Sequence, residues 1–225
     1  MYSEAETPRI VVLISGSGTN LQAVIDSIGS GEMTAEISAV ISNRPEAKGL
    51  ERASSHGIKT HALDHREYDS REAFDVAMMR QIDTYQPDLV VLAGFMRILT
   101  PDFVRRYEGR MLNIHPSLLP KYRGLHTHER ALEANDALHG VTVHFVTEEL
   151  DGGPLAIQAI VAIKPDDNAD SLAARVQAQE HVIYPLAIKW FTEGRMRLSD
   201  GLVVFDGQPL PETGMQLDSR QDNNS

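Results

Sequence analysis

Residues 9–28, RIVVLISGSGTNLQAVIDSI, set the architecture of everything that follows. Ile10–Ile14 is an unbroken apolar run rich in β-branched residues, which is the pattern of a strand covered on both faces. A glycine-bearing turn interrupts it at Gly16 and Gly18. The apolar residues then recur at Leu21, Val24, Ile25 and Ile28, the spacing of a helix. Strand, tight turn and helix in that order make the first half of a βαβ unit and predict a parallel sheet with right-handed crossovers.

Working outward, the same alternation repeats. EISAVIS (36–42) reads as a strand and GLERASSHG (49–57) as a helix stopped by glycine. KTHAL (59–63) is a short strand, SREAFDVAMMRQIDTY (70–85) an amphipathic helix, DLVVLAGF (88–95) a buried strand and PDFVRRYEG (101–109) a short helix. Beyond MLNIH (111–115) the pattern changes. HERALEANDALHG (128–140) reads as helix, and VTVHFV (141–146) and PLAIQAIVAI (154–163) as strands. A long helix covers roughly 170–192, and DGLVVFDGQPL (200–210) suggests a terminal hairpin. One α/β domain with a parallel first half and a mixed sheet beyond it is the economical reading.

Composition narrows the function classes. The 225 residues are 42% hydrophobic and 24% charged, ordinary for a globular chain with a substantial core. A formal charge of -11 argues against a nucleic-acid surface. The chain has no cysteine, which excludes disulfides, thiolate metal sites and a cysteine nucleophile. No apolar run reaches the roughly 18 residues that span a bilayer, and the acidic N-terminus MYSEAETP lacks the regions of a signal peptide. A cytoplasmic protein without membrane or nucleic-acid partners is expected.

Four stretches carry chemistry. SGSGTN (15–20) lies between the first strand and the first helix, where open α/β sheets collect ligands and a helix N-terminus offers N–H groups to an anion. No Gly-Lys-Ser/Thr follows, so it is not a P-loop. Leu21 occupies the third glycine position of the dinucleotide pattern, and Ser42-Asn43-Arg44 supplies no acidic residue for a ribose. A monophosphate therefore suits the loop better than NAD, with a plain capped turn as the alternative. In NIHPSLLP (113–120), Asn113 and His115 project from one face of a strand while Ile114 turns inward. A donor amide beside a titratable ring can serve a carbonyl that becomes an oxyanion, or it can be a polar strand end satisfied locally. In ELDGGPL (149–155), Asp151 enters a Gly-Gly turn where a carboxylate can sit exposed, and near His115 it would favour the imidazolium. Met96-Arg97-Ile98-Leu99 follows a strand and offers either an apolar rim for a flat ring or simple packing. His126 and His128 have metal-ligand spacing but no clear third ligand, and no metal is expected. His144 lies inside a strand pattern and reads as a satisfied histidine.

Together SGSGTNLQA, VLAGFMRIL, LNIHPSLLPKY, GLHTH, HFVTEELDGGP and VQAQEHVIYP, in this order, resemble the phosphoribosylglycinamide formyltransferases of the formyltransferase superfamily. The resemblance spans about residues 9–210. It implies a single-domain, Rossmann-like α/β formyltransferase fold, with a parallel sheet in the N-terminal half, a mixed sheet in the C-terminal half and helices on both faces. A flexible N-terminus at 1–8 and a disordered tail at 211–225 would flank it. By resemblance the reaction takes a formyl group from 10-formyltetrahydrofolate, the co-substrate, to an amine of a sugar phosphate in purine synthesis. Asn113 and protonated His115 would stabilise the tetrahedral intermediate, and Asp151 would assist proton transfer. The family's ribonucleotide contacts map onto Gly18, Thr19 and Asn20 and onto Gln177, Ala178, Gln179 and Glu180. Its folate contacts map onto Arg71, Met96, Arg97, Ile98, Leu99 and Asn113, and onto Thr147, Glu148, Glu149, Leu150 and Asp151. Arg123 departs from the proline expected in the KYPG turn of relatives and puts the shape of that loop in doubt.

The resemblance leaves competitors. A hydrolase of the same formyl-folate would be expected to carry an extra N-terminal domain. A methionyl-tRNA formyltransferase would need an RNA-binding domain and a basic face. A silent folate or sugar-phosphate sensor would bind without transferring. The partners implied are small molecules, in a monomer or homodimer.

Overall fold

A computed structural model of the chain describes residues 6–220. It forms two compact units, Met1–Phe103 and Val104–Ser225. In the first, β1 (Arg9–Ile14), β2 (Glu36–Ser42), β3 (Thr60–Ala62) and β4 (Leu89–Leu92) make a sheet in the order β4-β1-β2-β3, every pair parallel. The connecting helices are α1 (Thr19–Gly29), α2 (Lys48–Ser55) and α3 (Arg71–Asp83), followed by α4 (Pro101–Arg106). Ile10 to Ile14 are all fully buried, as an apolar run without polar alternation requires. Ser70 Oγ caps α3 by accepting the Ala73 N–H at 3.0 Å, and Gly57, at φ 72°, ends the turn after α2.

The second unit holds β5 (Met111–His115), β6 (Leu138–Phe145), β7 (Leu155–Ala162) and β11 (Met215–Asp218), in the order β11-β7-β6-β5. β5–β6 and β6–β7 pair antiparallel and β7–β11 parallel, so this sheet is mixed. α5 (Thr127–Glu133) precedes β6, and α6 (Ala169–Thr192) follows β7 with a capping box between Asn168 and Ser171. β8 (Met196–Ser199), β9 (Leu202–Phe205) and β10 (Gln208–Pro209) form a separate antiparallel sheet. The α/β class, with a parallel first half and a mixed second half, is as the sequence predicts.

Three expectations change. The helix expected over 128–140 stops at Glu133, and Leu138–Gly140 already belong to β6. Pairing with β7 wins there: a Cβ at Gly140 would lie 2.0 Å from the Ala159 carbonyl oxygen, so the strand approaches its neighbour as only glycine allows. The tail expected to be disordered from 211 contains β11, which adds to the free edge of β7. Gln216 Nε2 donates to Gln158 Oε1 at 3.1 Å and Ser219 Oγ to the Ile160 carbonyl at 2.7 Å. Backbone ladder bonds order this segment, and they leave no mark on its polar composition. At the other end, the Pro8 carbonyl accepts the Glu36 N–H at 2.8 Å, so pairing begins before β1. Residues 1–5 and 221–225 of the two expected flexible ends lie outside the described residues.

Candidate active site

The second unit brings Asn113, His115 and Asp151 together. The alternation of β5 places Ile114 on one face and Asn113 and His115 on the other, where His115 is buried and Asn113 half-buried. After His115 the chain leaves the sheet and returns. Two buried polar side chains hold this excursion. Thr142 Oγ1 donates to the Ser117 carbonyl at 2.7 Å, and Gln158 Nε2 to the Leu119 carbonyl at 2.9 Å. The returning turn presents the Tyr122 carbonyl to His115 Nε2 at 2.7 Å. A carbonyl only accepts, so Nε2 carries a proton and Nδ1 is the nitrogen that faces Asp151.

Asp151 Oδ2 lies 3.6 Å from His115 Nδ1, and both side chains are only 8% exposed. The same oxygen accepts the Gly124 N–H at 2.9 Å. Asp151 has φ 50°, a left-handed conformation that aspartate tolerates better than most residues. Gly153 is obligatory for the turn, because a Cβ there would lie 1.8 Å from the Phe145 carbonyl oxygen. A second proton, on Nδ1, would face a carboxylate rather than solvent. A cleft of about 420 Å³ opens beside Asp151, lined among others by Pro120, Arg123, Leu155, Leu202 and Leu210.

His144 belongs to this site, although sequence alone reads it as an ordinary strand histidine. Antiparallel register sets it directly opposite Asn113. Its Nδ1 donates to the Phe145 carbonyl at 3.0 Å, which leaves Nε2 to accept from Asn113 Nδ2 at 3.3 Å. Burial lowers its pKa below the usual histidine value, so it is a neutral acceptor at physiological pH. Asn113 therefore spends one N–H on holding its own orientation and keeps the other. Strand register is the signal that would have revealed this contact, and it is not written in either strand alone.

The remaining candidates of this unit are distributed as follows. In the segment Thr147–Leu150, Glu148 Oε1 accepts from Arg105 Nη1 at 2.8 Å, and Glu149 pairs with Arg123. Arg123 thus neither points freely to solvent nor disrupts the turn; it ties the turn to the Asp151 loop. Leu150 is 54% exposed. Gln177, Ala178, Gln179 and Glu180 occupy the middle of α6, the first two exposed and the others half-buried. His128 Nδ1 lies 3.1 Å from His139 Nε2, and His126 takes the left-handed N-cap position of α5. Among the described residues no group of three or more histidines and carboxylates is arranged to hold a metal ion.

In the first unit, Gly18 takes φ 73° at the N-cap of α1 and has no side chain with which to cap it. A Cβ on Gly18 would meet Gly49 Cα at 2.6 Å, and one on Gly49 would meet Ile14 Cδ1 at 2.4 Å. The loop is thus pressed on α2 by two glycines, with Gly49 N–H donating to the Gly16 carbonyl at 2.9 Å. Arg52 Nε donates to the Ser17 carbonyl at 2.7 Å. Thr19 and Asn20 open α1, whose first-turn N–H groups carry the positive end of the helix dipole. Met96 and Ile98 are 61% and 58% exposed, apolar side chains held away from the core of their own unit. Leu99 is half-buried, Arg71 is exposed at the first position of α3, and the Arg97 guanidinium lies 4.6 Å above the Phe74 ring. Sequence reasoning did not single out Ser15, a buried residue whose hydroxyl donates to Asn43 Oδ1 at 2.6 Å and accepts the Met96 N–H at 2.8 Å. It links the loop before α1 to the segment after β4.

Comparison with known proteins identifies the family of the chain. Residues 8–188 match the formyl transferase family. The chain is 56% identical over 210 residues to the phosphoribosylglycinamide formyltransferase of Escherichia coli K12, covering 93% of this chain and 99% of that protein. It is 51% identical over 206 residues to the enzyme of that name from Haemophilus influenzae, covering 92% and 97%. The solved structure of phosphoribosylglycinamide formyltransferase from Coxiella burnetii superposes with a TM-score of 0.91 at 53% identity, covering 94% of this chain and all of the other. The chain belongs to the formyl transferase family, among the phosphoribosylglycinamide formyltransferases.

Proposed function

We propose that the protein transfers the formyl group of 10-formyltetrahydrofolate to the amine of 5'-phosphoribosylglycinamide. The products are 5'-phosphoribosyl-N-formylglycinamide and tetrahydrofolate, in the third step of de novo purine biosynthesis. The observation that carries this reading is the approach of Asp151 to His115 at 3.6 Å beside Asn113, two buried acid–base groups next to a carboxamide with an N–H to spare.

In this mechanism the amine nitrogen forms a bond to the formyl carbon and the carbonyl oxygen becomes negative. Asn113 offers its second Nδ2–H to that oxygen. His115 keeps its Nε2–H on the Tyr122 carbonyl and, doubly protonated, offers its Nδ1–H to the same oxygen beside Asp151. Asp151 faces Nδ1 and compensates the charge of the doubly protonated ring. The bond from the formyl carbon to the folate nitrogen then breaks. The proton lost by the attacking amine reaches the leaving nitrogen with the help of Asp151.

Binding roles follow the residue types. Gly18, Thr19 and Asn20 receive the phosphate at the uncapped start of α1. Gln177 to Glu180 meet the glycinamide ribonucleotide, and the carboxylate of Glu180 suits its cationic amine. Met96 to Leu99 receive the pteridine, for which the exposed Met96 and Ile98 provide apolar surface. Arg71 and the segment Thr147–Asp151 complete the folate contacts. The chemistry is compatible with a cytoplasmic location, and no helix among the described residues is long and apolar enough to cross a membrane.

Mass spectrometry of a reaction containing both substrates tests the reading. The ribonucleotide should gain one formyl group for each tetrahydrofolate released. Release of formate with the ribonucleotide unchanged would refute it.

A further inference from the structure

Behind His115 and Asp151 stands a turn that holds both through backbone groups. The Tyr122 carbonyl accepts from His115 Nε2 at 2.7 Å, and the Gly124 N–H donates to Asp151 Oδ2 at 2.9 Å. Short of a proline at 124, no side-chain change at 122 or 124 deletes either bond directly. What fixes the pair is whatever fixes the turn. Tyr122 has φ 55° and Gly124 φ 80°, so the turn places a bulky aromatic residue in the left-handed region and needs support from outside.

Ser117 Oγ donates to the Lys121 carbonyl at 2.6 Å where the turn begins, and three further contacts support it. The Tyr122 hydroxyl donates to Asp136 at 2.6 Å, and Arg123 pairs with Glu149 through side chains that are 40% and 64% exposed. Arg130, half-buried on α5, grips the turn's own backbone. Its Nη1 donates to the Arg123 carbonyl at 2.6 Å and the Leu125 carbonyl at 3.2 Å, the two carbonyls that flank Gly124. Its guanidinium also lies 5.1 Å above the Tyr122 ring. An arginine satisfies two carbonyls and a ring face at once, which a lysine ammonium does only in part.

We propose that Arg130 is a positioning residue of the active site: by clamping the carbonyls of residues 123 and 125 it fixes the turn that orients His115 and Asp151. The inference rests on the reading of that pair as the acting acid–base groups. Arg130 itself touches neither member of the pair.

Arg130→Ala, Arg130→Lys and Asp151→Asn are compared with the parent for kcat, for the ribonucleotide KM, and for recovery of turnover in millimolar guanidinium ion. Arg130→Gln stands in for the alanine variant should that one fail to fold. Because a misplaced catalytic group is costly, Arg130→Ala is expected to lose about tenfold or more in kcat. Its ribonucleotide KM should stay within about twofold of the parent. Arg130→Lys should fall between parent and alanine variant, and free guanidinium should restore part of the lost kcat. A generally weakened fold would not be rescued by a denaturing cation. The proposal is overturned by a kcat equal to or above that of the parent, or by a loss that neither lysine nor guanidinium repairs. If Asp151→Asn turns over like the parent, the acid–base reading falls and the Arg130 role with it. If Asp151→Asn is inactive while Arg130→Ala matches the parent, only the Arg130 role falls.

Discussion

Replacing Asp151 with Asn tests the acid–base pair at one atom. The amide keeps an oxygen for the Gly124 N–H and fits the same volume, so the turn and loop should hold their places. What disappears is the charge 3.6 Å from His115 Nδ1. Two unit charges at that separation interact by about 4–5 kcal/mol at an effective dielectric of about 20. Desolvation of a buried pair offsets part of this. The loss of a positioned acid–base group is worth about 10²–10⁴ in rate, which sets the scale of the effect. A carboxamide N–H can also donate to a neutral Nδ1, which holds the ring in the form that is the poorer donor to an oxyanion. Turnover is followed by the absorbance change as formyl-folate becomes tetrahydrofolate, at saturating ribonucleotide. The expected result is a kcat lower by about 10²–10³ with both KM values nearly unchanged. A large rise in KM with kcat intact would refute the reasoning, because the carboxylate would then be a binding group.

Further predictions follow from other contacts. His115→Ala removes both the ring that Asp151 serves and an oxyanion donor, and its kcat should fall at least as far as that of Asp151→Asn, by about 10² or more. Gly18→Ala should raise the ribonucleotide KM about tenfold with a smaller change in the folate KM, because its methyl meets Gly49 Cα at 2.6 Å and shifts the loop; equal changes in both would contradict the phosphate assignment. Gly153→Ala, facing the Phe145 carbonyl oxygen at 1.8 Å, should destabilise the fold by about 1–3 kcal/mol in urea unfolding. Burial, with neighbouring His128 second, pulls the His139 pKa down to about 4. The unfolded chain, titrating near 6.5, binds that proton first, so stability is full above about pH 6.5 and is lost as pH falls towards 4, by up to about 3 kcal/mol. His139→Gln should flatten the urea-midpoint profile between those values, and an unchanged slope would contradict the assignment.

Much of this was legible in the sequence because the relevant signals are local. Ile10–Ile14 announces a doubly covered strand by its unbroken apolar run, and Asn113 and His115 share a face because strands alternate. The helix at Arg71–Asp83 is bounded by its own Ser70 cap. What stayed hidden depends on pairing across distance. β11 exists because β7 had an open edge, and Gly140 belongs to a strand because Ala159 leaves no room for a side chain. His144 joins the site through antiparallel register with Asn113. The Tyr122 carbonyl and Gly124 N–H act through the backbone, where residue type carries no mark. Arg123 is an anomaly of its turn by residue type alone, and its partner Glu149 lies in a different loop. Ser15 likewise needed Asn43 and the Met96 N–H to give its hydroxyl a purpose.

The most direct test of the account is formyl-folate turnover by the purified protein, measured with and without 5'-phosphoribosylglycinamide. Turnover that depends on the ribonucleotide is the predicted result. Equal turnover in its absence, or none in its presence, would contradict the account.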